Sequence, residues 1–385
     1  MNEFELLNEI ESCVDCKTCM NYCDTFIVTQ DELKSPNGRL KIAKKVFNNE
    51  EITEEEKIGL YTCTLCSICD KFCTESIHIS DLIHSSKIKL VSQNKAPLEI
   101  HNKIIKGIIE KNNSVNGSPE ERLNWIPSNL RDQELYEKAN SDTLLFLGCM
   151  SSFRVKESAS ASYELLKAGG YEFKILEKEP CCGEYIYSAG DLELAKRIFE
   201  ENFKLFKEIG IKNIIVTCGG CLYAFNKIYP KYISDWNINV KHVIQIIDEL
   251  TKEGKLQFNN LNNNITYHDS CRMGRKLKNL KIYDEPRELL KSTNTQVKEL
   301  NNNRDDTPCC GAGAGVRGVD SSISIKIGLK IFQEVNTEEI ITSCPLCVFN
   351  YRYVNYKTQS DKTYRYITDY LLNALYKNNE GDYYG

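Results

Sequence analysis

The sequence predicts a multidomain protein, with a cysteine-dense, α-helical N-terminal region followed by two copies of one parallel α/β unit. Three observations predict it. A five-cysteine pattern occurs twice: Cys149, Cys181-Cys182-Gly183 and Cys218-Gly219-Gly220-Cys221, then Cys271, Cys309-Cys310-Gly311 and Cys344-Pro345-Leu346-Cys347. The gap between lone cysteine and pair is 31 residues in the first copy and 37 in the second; from pair to CxxC it is 35 and 33. Nearly equal gaps mark an internal repeat, which organises any other reading. Within each copy, short apolar runs alternate with amphipathic segments, the pattern of parallel α/β layers. Finally, the first 97 residues hold eight cysteines in two dense runs, with a helical spacer between them.

Composition narrows the class. A length of 385 residues suggests two or three domains, and 41% hydrophobic with 27% charged residues gives ample material for ordinary cores. The formal charge of −5 is spread over mixed lysines and acids, which does not favour a nucleic-acid partner. The start, Met1-Asn-Glu-Phe-Glu5, lacks the basic-then-apolar order of a secretory signal, and no apolar run approaches the ~18 residues of a membrane span. The expected location is cytoplasmic, either free or held at the inner face of the membrane through a partner, with no direct membrane span. Eighteen cysteines without a signal argue for a reducing compartment where thiolates hold metal. A disulfide scaffold is the alternative, but such scaffolds are small secreted domains.

Residues 1–97 form the first expected domain. Cys13-Val-Asp-Cys16-Lys-Thr-Cys19-Met-Asn-Tyr-Cys23 and Cys63-Thr-Leu-Cys66-Ser-Ile-Cys69-Asp-Lys-Phe-Cys73 are both CxxCxxCxxxC. This is the ferredoxin run, in which three close thiolates wrap one cubane and the fourth serves the other cluster. Cys13, Cys16, Cys19 and Cys73 would then hold one [4Fe–4S] cubane, and Cys63, Cys66, Cys69 and Cys23 the second. The usual proline after the fourth cysteine is replaced by Asp24 and Thr74. Zinc is the alternative ligand, but it takes separated CxxC pairs more often than one dense run of four. Gly38 to Phe47 and Glu54 to Leu60 carry apolar residues three and four apart, so an α-helical ferredoxin fits better than the β-rich bacterial type.

Residues 98–141 read as a helical linker, with an amphipathic helix from Leu98 to Lys111 and a turn-rich stretch from Asn112 to Pro127. The first repeat domain is expected over 142–262 and the second over 263–385. Thr143 to Leu147 and Ile265 to His268 are short strands leading to Cys149 and Cys271; Ile214 to Val216 and Ile340 to Thr342 lead to Cys218 and Cys344. Leu192 to Ile209 and Ile323 to Val335 are helices between them, and Val240 to Leu250 and Tyr366 to Tyr376 close the repeats as matching helices. Cysteines just past strand ends sit where open α/β sheets gather ligands. Tyr351, Tyr353, Tyr356, Tyr364 and Tyr366 read as packing aromatics.

Two cubanes use eight cysteines and two repeats use ten, which accounts for all eighteen. Five thiolates exceed the four of a simple cubane, and adjacent cysteines cannot easily face one small tetrahedral ion together. Both facts point to a larger or distorted iron–sulfur assembly.

With these motifs the chain resembles the D-type subunit family of heterodisulfide reductases, in which a two-cluster ferredoxin module precedes two Rossmann-like, cysteine-rich CCG domains. The resemblance covers nearly the whole chain and includes Tyr267-His-Asp-Ser-Cys-Arg-Met-Gly-Arg275, Tyr283-Asp-Glu-Pro-Arg287 and Cys309-Cys-Gly-Ala-Gly-Ala-Gly-Val-Arg317. It implies two noncubane [4Fe–4S] clusters, one on Cys149, Cys181, Cys182, Cys218 and Cys221, the other on Cys271, Cys309, Cys310, Cys344 and Cys347. It also implies cleavage of the CoM-S-S-CoB disulfide in methanogenesis, with these cysteines as the catalytic set. That substrate carries a sulfonate, a carboxylate and a phosphate, for which arginine is well suited. Arg272, Arg275 and Arg317 are the candidates, with Lys276 and Lys278 behind them and ordinary surface charge as the alternative. The implied redox partner is a membrane cytochrome b, a flavoprotein or a hydrogenase module.

The rival reading is an electron-transfer component of a flavin-dependent glycolate, lactate or glycerol-3-phosphate dehydrogenase, where similar chains often have incomplete repeats. A zinc-binding scaffold is a third class. Gly313-Ala-Gly315-Val-Arg-Gly318 is literally GxGxxG, but it follows a cysteine pair rather than a strand, which disfavours a dinucleotide. The CxxC pairs belong to longer sets, unlike thioredoxin motifs. His268 reads as a structural group.

Overall fold

The computed structural model describes residues 2–126 and 140–376. Part of the expected linker, from 127 to 139, lies outside the described residues. The chain divides into two compact units, neither continuous in sequence. One joins Met1–Lys106 to Gly183–Lys196 and Pro308–Gln333; the other joins Gly107–Cys182, Arg197–Thr307 and Glu334–Gly385.

The first unit is helical. Asn2 opens the helix Glu3–Glu11 with a reciprocal capping box to Glu5, and Thr53 does the same with Glu56 for Glu54–Tyr61. Ser35 caps Pro36–Phe47, with the proline at the first helical position where its missing N–H costs nothing. These helices and Ile79–Ser92 bury Leu40, Ala43, Phe47, Leu60, Leu82 and Ile83 in one core. That core also takes in Ala314 from the glycine-rich loop after Cys309-Cys310. The segment after Cys182 is fastened to the same unit: Tyr61 donates its hydroxyl to the Ala189 carbonyl at 2.8 Å, and His84 Nε2 lies 2.6 Å from the Tyr187 carbonyl.

The second unit contains both sheets, and every strand pairing in them is parallel. β1 (Thr143–Phe146), β2 (Asn213–Val216) and β3 (Asn239–His242) lie side by side in that order. The second sheet runs β5 (Gln296–Glu299), β4 (Asn264–His268), β6 (Glu339–Thr342), β7 (Thr363–Tyr366). Strands covered on both faces read as unbroken apolar runs, as in Leu144-Leu145-Phe146 and Ile214-Ile215-Val216. The repeat is therefore structural: β1, β2, β3 correspond to β4, β6, β7. In the first repeat the counterpart of β5 is reduced to a single parallel bridge, Leu144 to Lys174.

Two expectations need correction. Val240 to Leu250 is not one helix, since β3 takes Val240 and the helix runs Val243–Lys252; likewise β7 takes Tyr366 ahead of the helix Ile367–Tyr376. In both strands alternate residues turn inward, Val240 and His242, then Tyr364 and Tyr366. Four residues of period two running straight into an apolar helix are easily absorbed by the helical pattern. Tyr356 departs from the packing role, being 71% exposed, whereas Tyr351 and Tyr366 are fully buried. No helix among the described residues is long and apolar enough to cross a membrane.

Candidate metal centres

The two dense cysteine runs exchange their last members. One cavity is lined by Cys13, Cys16, Cys19 and Cys73, the other by Cys23, Cys63, Cys66 and Cys69. They differ in access, because Cys16 is exposed while all four thiols of the second set are buried. Burial and the neighbouring thiols push Cys19 up to about 12, and burial with the Asp70 carboxylate pushes Cys69 well above its ordinary value. Four thiols converge on each cavity, and a four-thiol donor set fits an iron–sulfur cluster.

Polar groups surround both sets. The Thr25 hydroxyl lies 3.1 Å from Cys23 Sγ and the Thr74 hydroxyl 3.5 Å from Cys16 Sγ. Arg39, 1% exposed, donates to the Gly59 carbonyl at 2.7 Å and the Thr25 hydroxyl at 3.0 Å, and its Nη1 lies 3.9 Å from Cys23 Sγ. It brings a fixed positive charge beside these thiols.

In the second unit the cysteines stand past the carboxyl ends of parallel strands. Cys149 follows β1 with its thiol 3.1 Å from the Ser114 hydroxyl. Cys218 follows β2 as the N-cap of Gly219–Tyr223, and Cys344 follows β6 as the N-cap of Pro345–Thr358. The thiols are in contact as a chain. Cys221 meets Cys182 and Cys218, Cys218 meets Cys344, and Cys344 meets Cys347. The contact with Cys182 leads the causes that push Cys221 well up, followed by Cys218 and burial. Such neighbours cannot all be thiolates without added positive charge.

The backbone is fitted to this meeting of repeats. A β-carbon on Gly219 would lie 3.0 Å from Ser270 Oγ and 3.2 Å from Met273 Cγ, so the loop holding Cys271 packs directly on the Cys218 turn. The Thr217 carbonyl receives one hydrogen bond from each repeat, from His242 Nε2 at 3.1 Å and Tyr366 Oη at 2.6 Å. Burial pushes His242 down to about 4, so the ring is neutral.

Charged groups hold the lone cysteines. Glu179, buried beside Cys181, accepts the amides of Leu147 and Gly148 at 2.8 Å each and pairs with Arg122 at 3.1 Å. Burial drives that carboxyl up to about 7 against the pull of Arg122. Ahead of Cys271, Asp269 takes both prongs of Arg287 at 2.9 and 2.8 Å, and Arg287 also binds Glu299 at 2.6 and 2.8 Å.

The three arginines singled out from the sequence are placed differently. Arg272 lies with its guanidinium 5.1 Å from the Tyr223 ring, and Lys276 is 5.0 Å from the same ring. Arg275 is buried and donates to the carbonyls of Asp305 and Thr307 at 2.7 and 3.0 Å. Arg317 is half-buried in the other unit. His268 is buried edge-on against Tyr351, matching a structural role. Arg39, Arg122, Glu179 and Asp24 were not visible as site residues from sequence, because each acts through a partner distant in the chain. Only Asp24 gave a signal, by standing where a proline was expected.

The GxGxxG stretch also finds its reason in packing. A β-carbon on Gly313 would fall 2.4 Å from the Thr64 carbonyl oxygen, and one on Gly315 2.7 Å from His101 and Tyr185. Gly313→Ala is therefore expected to destabilise the first unit by about 1–3 kcal/mol through overpacking against backbone. Denaturation midpoints compared with Gly107→Ala, where nothing stands within 4 Å, would measure it; equal midpoints would contradict the packing role.

Comparison with known proteins agrees with this arrangement. The profile of a 4Fe-4S dicluster domain matches residues 9–77, and that of a cysteine-rich domain matches twice, over 143–226 and 265–352. The D-type subunit of the dihydromethanophenazine:CoB–CoM heterodisulfide reductase of Methanosarcina mazei is 27% identical, over 89% of this chain and 88% of its own length. This chain joins one dicluster domain to two cysteine-rich domains, and along most of its length it is similar to the D-type subunits of heterodisulfide reductases. Proteins named for other activities are similar too. The B-type subunit of the CoM/CoB fumarate reductase of Methanothermobacter marburgensis is 25% identical, over 90% of this chain and 68% of its own. The EtfAB:quinone oxidoreductase of Syntrophomonas wolfei is 29% identical, over 75% of this chain and 42% of its own. The relatives are thus named for heterodisulfide reduction, fumarate reduction and quinone oxidoreduction.

Proposed function

We propose that the chain is the catalytic iron–sulfur component of a disulfide-reducing oxidoreductase of the CoB–CoM heterodisulfide type. The observation that supports this best is the contact chain of thiols, running from Cys182 through Cys221 and Cys218 to Cys344 and Cys347. Both repeats keep all five cysteines, a completeness that a protein only relaying electrons would not need. On this reading, cubane clusters occupy the two four-cysteine cavities. Noncubane clusters take Cys149, Cys181, Cys182, Cys218 and Cys221, and Cys271, Cys309, Cys310, Cys344 and Cys347. Bound clusters supply electrons singly, and the reaction R–S–S–R′ + 2 e⁻ + 2 H⁺ → R–SH + R′–SH consumes two.

The chain's own residues would bind and hold the substrate. Arg272 and Lys276, gathered on the Tyr223 ring beside Cys221 and Cys271, offer paired cations to an anionic tail. Arg317 is a further cation for the same purpose. Arg275, already engaged with two carbonyls, would shape the loop more than touch the ligand. Electrons would enter from a partner protein: a cytochrome b, flavoprotein or hydrogenase module.

The likeness to an EtfAB:quinone oxidoreductase favours a second reading, in which the chain only passes electrons from a flavoprotein towards quinone. Anaerobically purified protein separates the two. The catalytic reading expects about sixteen irons per chain, from four clusters of four, and reduced-viologen oxidation that depends on the heterodisulfide. About eight irons with ten titratable thiols, or a loaded protein inert to the disulfide, would leave the electron-transfer reading in place.

A further inference from the structure

Asp24 and Thr74 stand where a ferredoxin run ordinarily places proline. Thr74 turns its hydroxyl to Cys16. Asp24 has a different use. Its side chain is 4% exposed, Oδ2 accepts the amide of Cys309 at 2.7 Å, and Oδ1 accepts Lys330 Nζ at 2.9 Å. These partners lie 285 and 306 residues further along the chain. A second close approach runs beside the first, where Gly313 lies so near the Thr64 carbonyl that no side chain fits. The residues directly after Cys23 and Cys63 thus both carry the loop Cys309 to Gly313. A proline at position 24 could accept neither bond.

We infer that Asp24 is a positioning residue: it clamps the Cys309–Cys310 loop to the buried four-cysteine site, and together with Lys330 it sets the charge beside that site. The inference rests on the reading that Cys23, Cys63, Cys66 and Cys69 hold a cluster. Reduction adds negative charge there, which a neighbouring carboxylate opposes and an ammonium favours. Lys330 is 39% exposed in its side chain, so it offsets the buried carboxylate only in part. Arg39, at 3.9 Å from Cys23, is unchanged by either substitution and sets a constant background.

The test is an anaerobic redox titration of the full chain followed by electron paramagnetic resonance, with Cys69→Ser used to identify the signal of the buried site. Asp24→Asn keeps an acceptor for the Cys309 amide but removes the charge, so the midpoint potential of that signal rises. Lys330→Met leaves the carboxylate uncompensated, so the potential falls. The double variant returns close to the parent. A merely structural role would move both single variants the same way or neither, and either result overturns the inference. Should Asp24→Asn load no cluster, Lys330→Met decides alone: a fall supports the inference, and no change or a rise overturns it. If Cys69→Ser removes no signal, the cluster reading fails and the inference falls with it. If the signal is lost there but unshifted in the charge variants, only the inference fails.

Discussion

Cys182→Ser and Cys310→Ser are each expected to abolish disulfide cleavage, although they lie in different repeats. Cys182 touches Cys221, which begins the thiol chain leading across to Cys344. Cys310 holds the same place in the second five-cysteine pattern. If each repeat captures one sulfur of the substrate, neither can work alone, and a single serine should remove activity without removing the other repeat's iron. The measurement is single-turnover cleavage of the heterodisulfide after iron analysis of each variant. A protein lacking one repeat's cluster yet cleaving at near-parental rate would end the two-site mechanism.

The largest effect on stability is expected at Arg287. Its guanidinium is the shared partner of Asp269, which is 2% exposed, and of Glu299; Asp269 also accepts the Arg304 amide at 2.8 Å. Arg287→Met strands a buried carboxylate two residues before Cys271. Breaking such a pair costs about 3–5 kcal/mol, whereas replacing both partners by apolar groups is far milder. Chemical denaturation should show a large fall for Arg287→Met and recovery of much of it in Asp269→Leu/Arg287→Met. Equal losses in the single and double variants would show that packing around the arginine, and not the stranded charge, is what matters.

Much of this was legible in the sequence because cysteine spacing is a local signal. The strands before Cys149, Cys218, Cys271 and Cys344, and the exchange of Cys23 and Cys73 between the two runs, follow from motif and period. The strands β3 and β7 were hidden because each is four residues long and leads straight into an apolar helix. The strand β5 was silent for another reason: Gln296, Lys298 and Glu299 are exposed on an edge and carry no apolar alternation. The polar groups that hold the site were illegible in principle. Arg122 reaches Glu179 across 57 residues and Asp24 reaches Cys309 across 285, and no window on the chain contains both ends.

The discontinuity of the first unit has a consequence for biosynthesis. Its final segment ends at Gln333, while the loop carrying Cys63, Cys66 and Cys69 leaves the ribosome hundreds of residues earlier. At roughly 5–20 residues per second, about 10–50 s pass between emergence of Lys106 and Gln333. Throughout that interval Asp24 lacks Cys309 and Lys330, Thr64 is uncovered by Gly313, and Tyr61 at first lacks Ala189. The helical region therefore lacks these contacts until translation is nearly complete, and the first unit can finish its fold only late in synthesis.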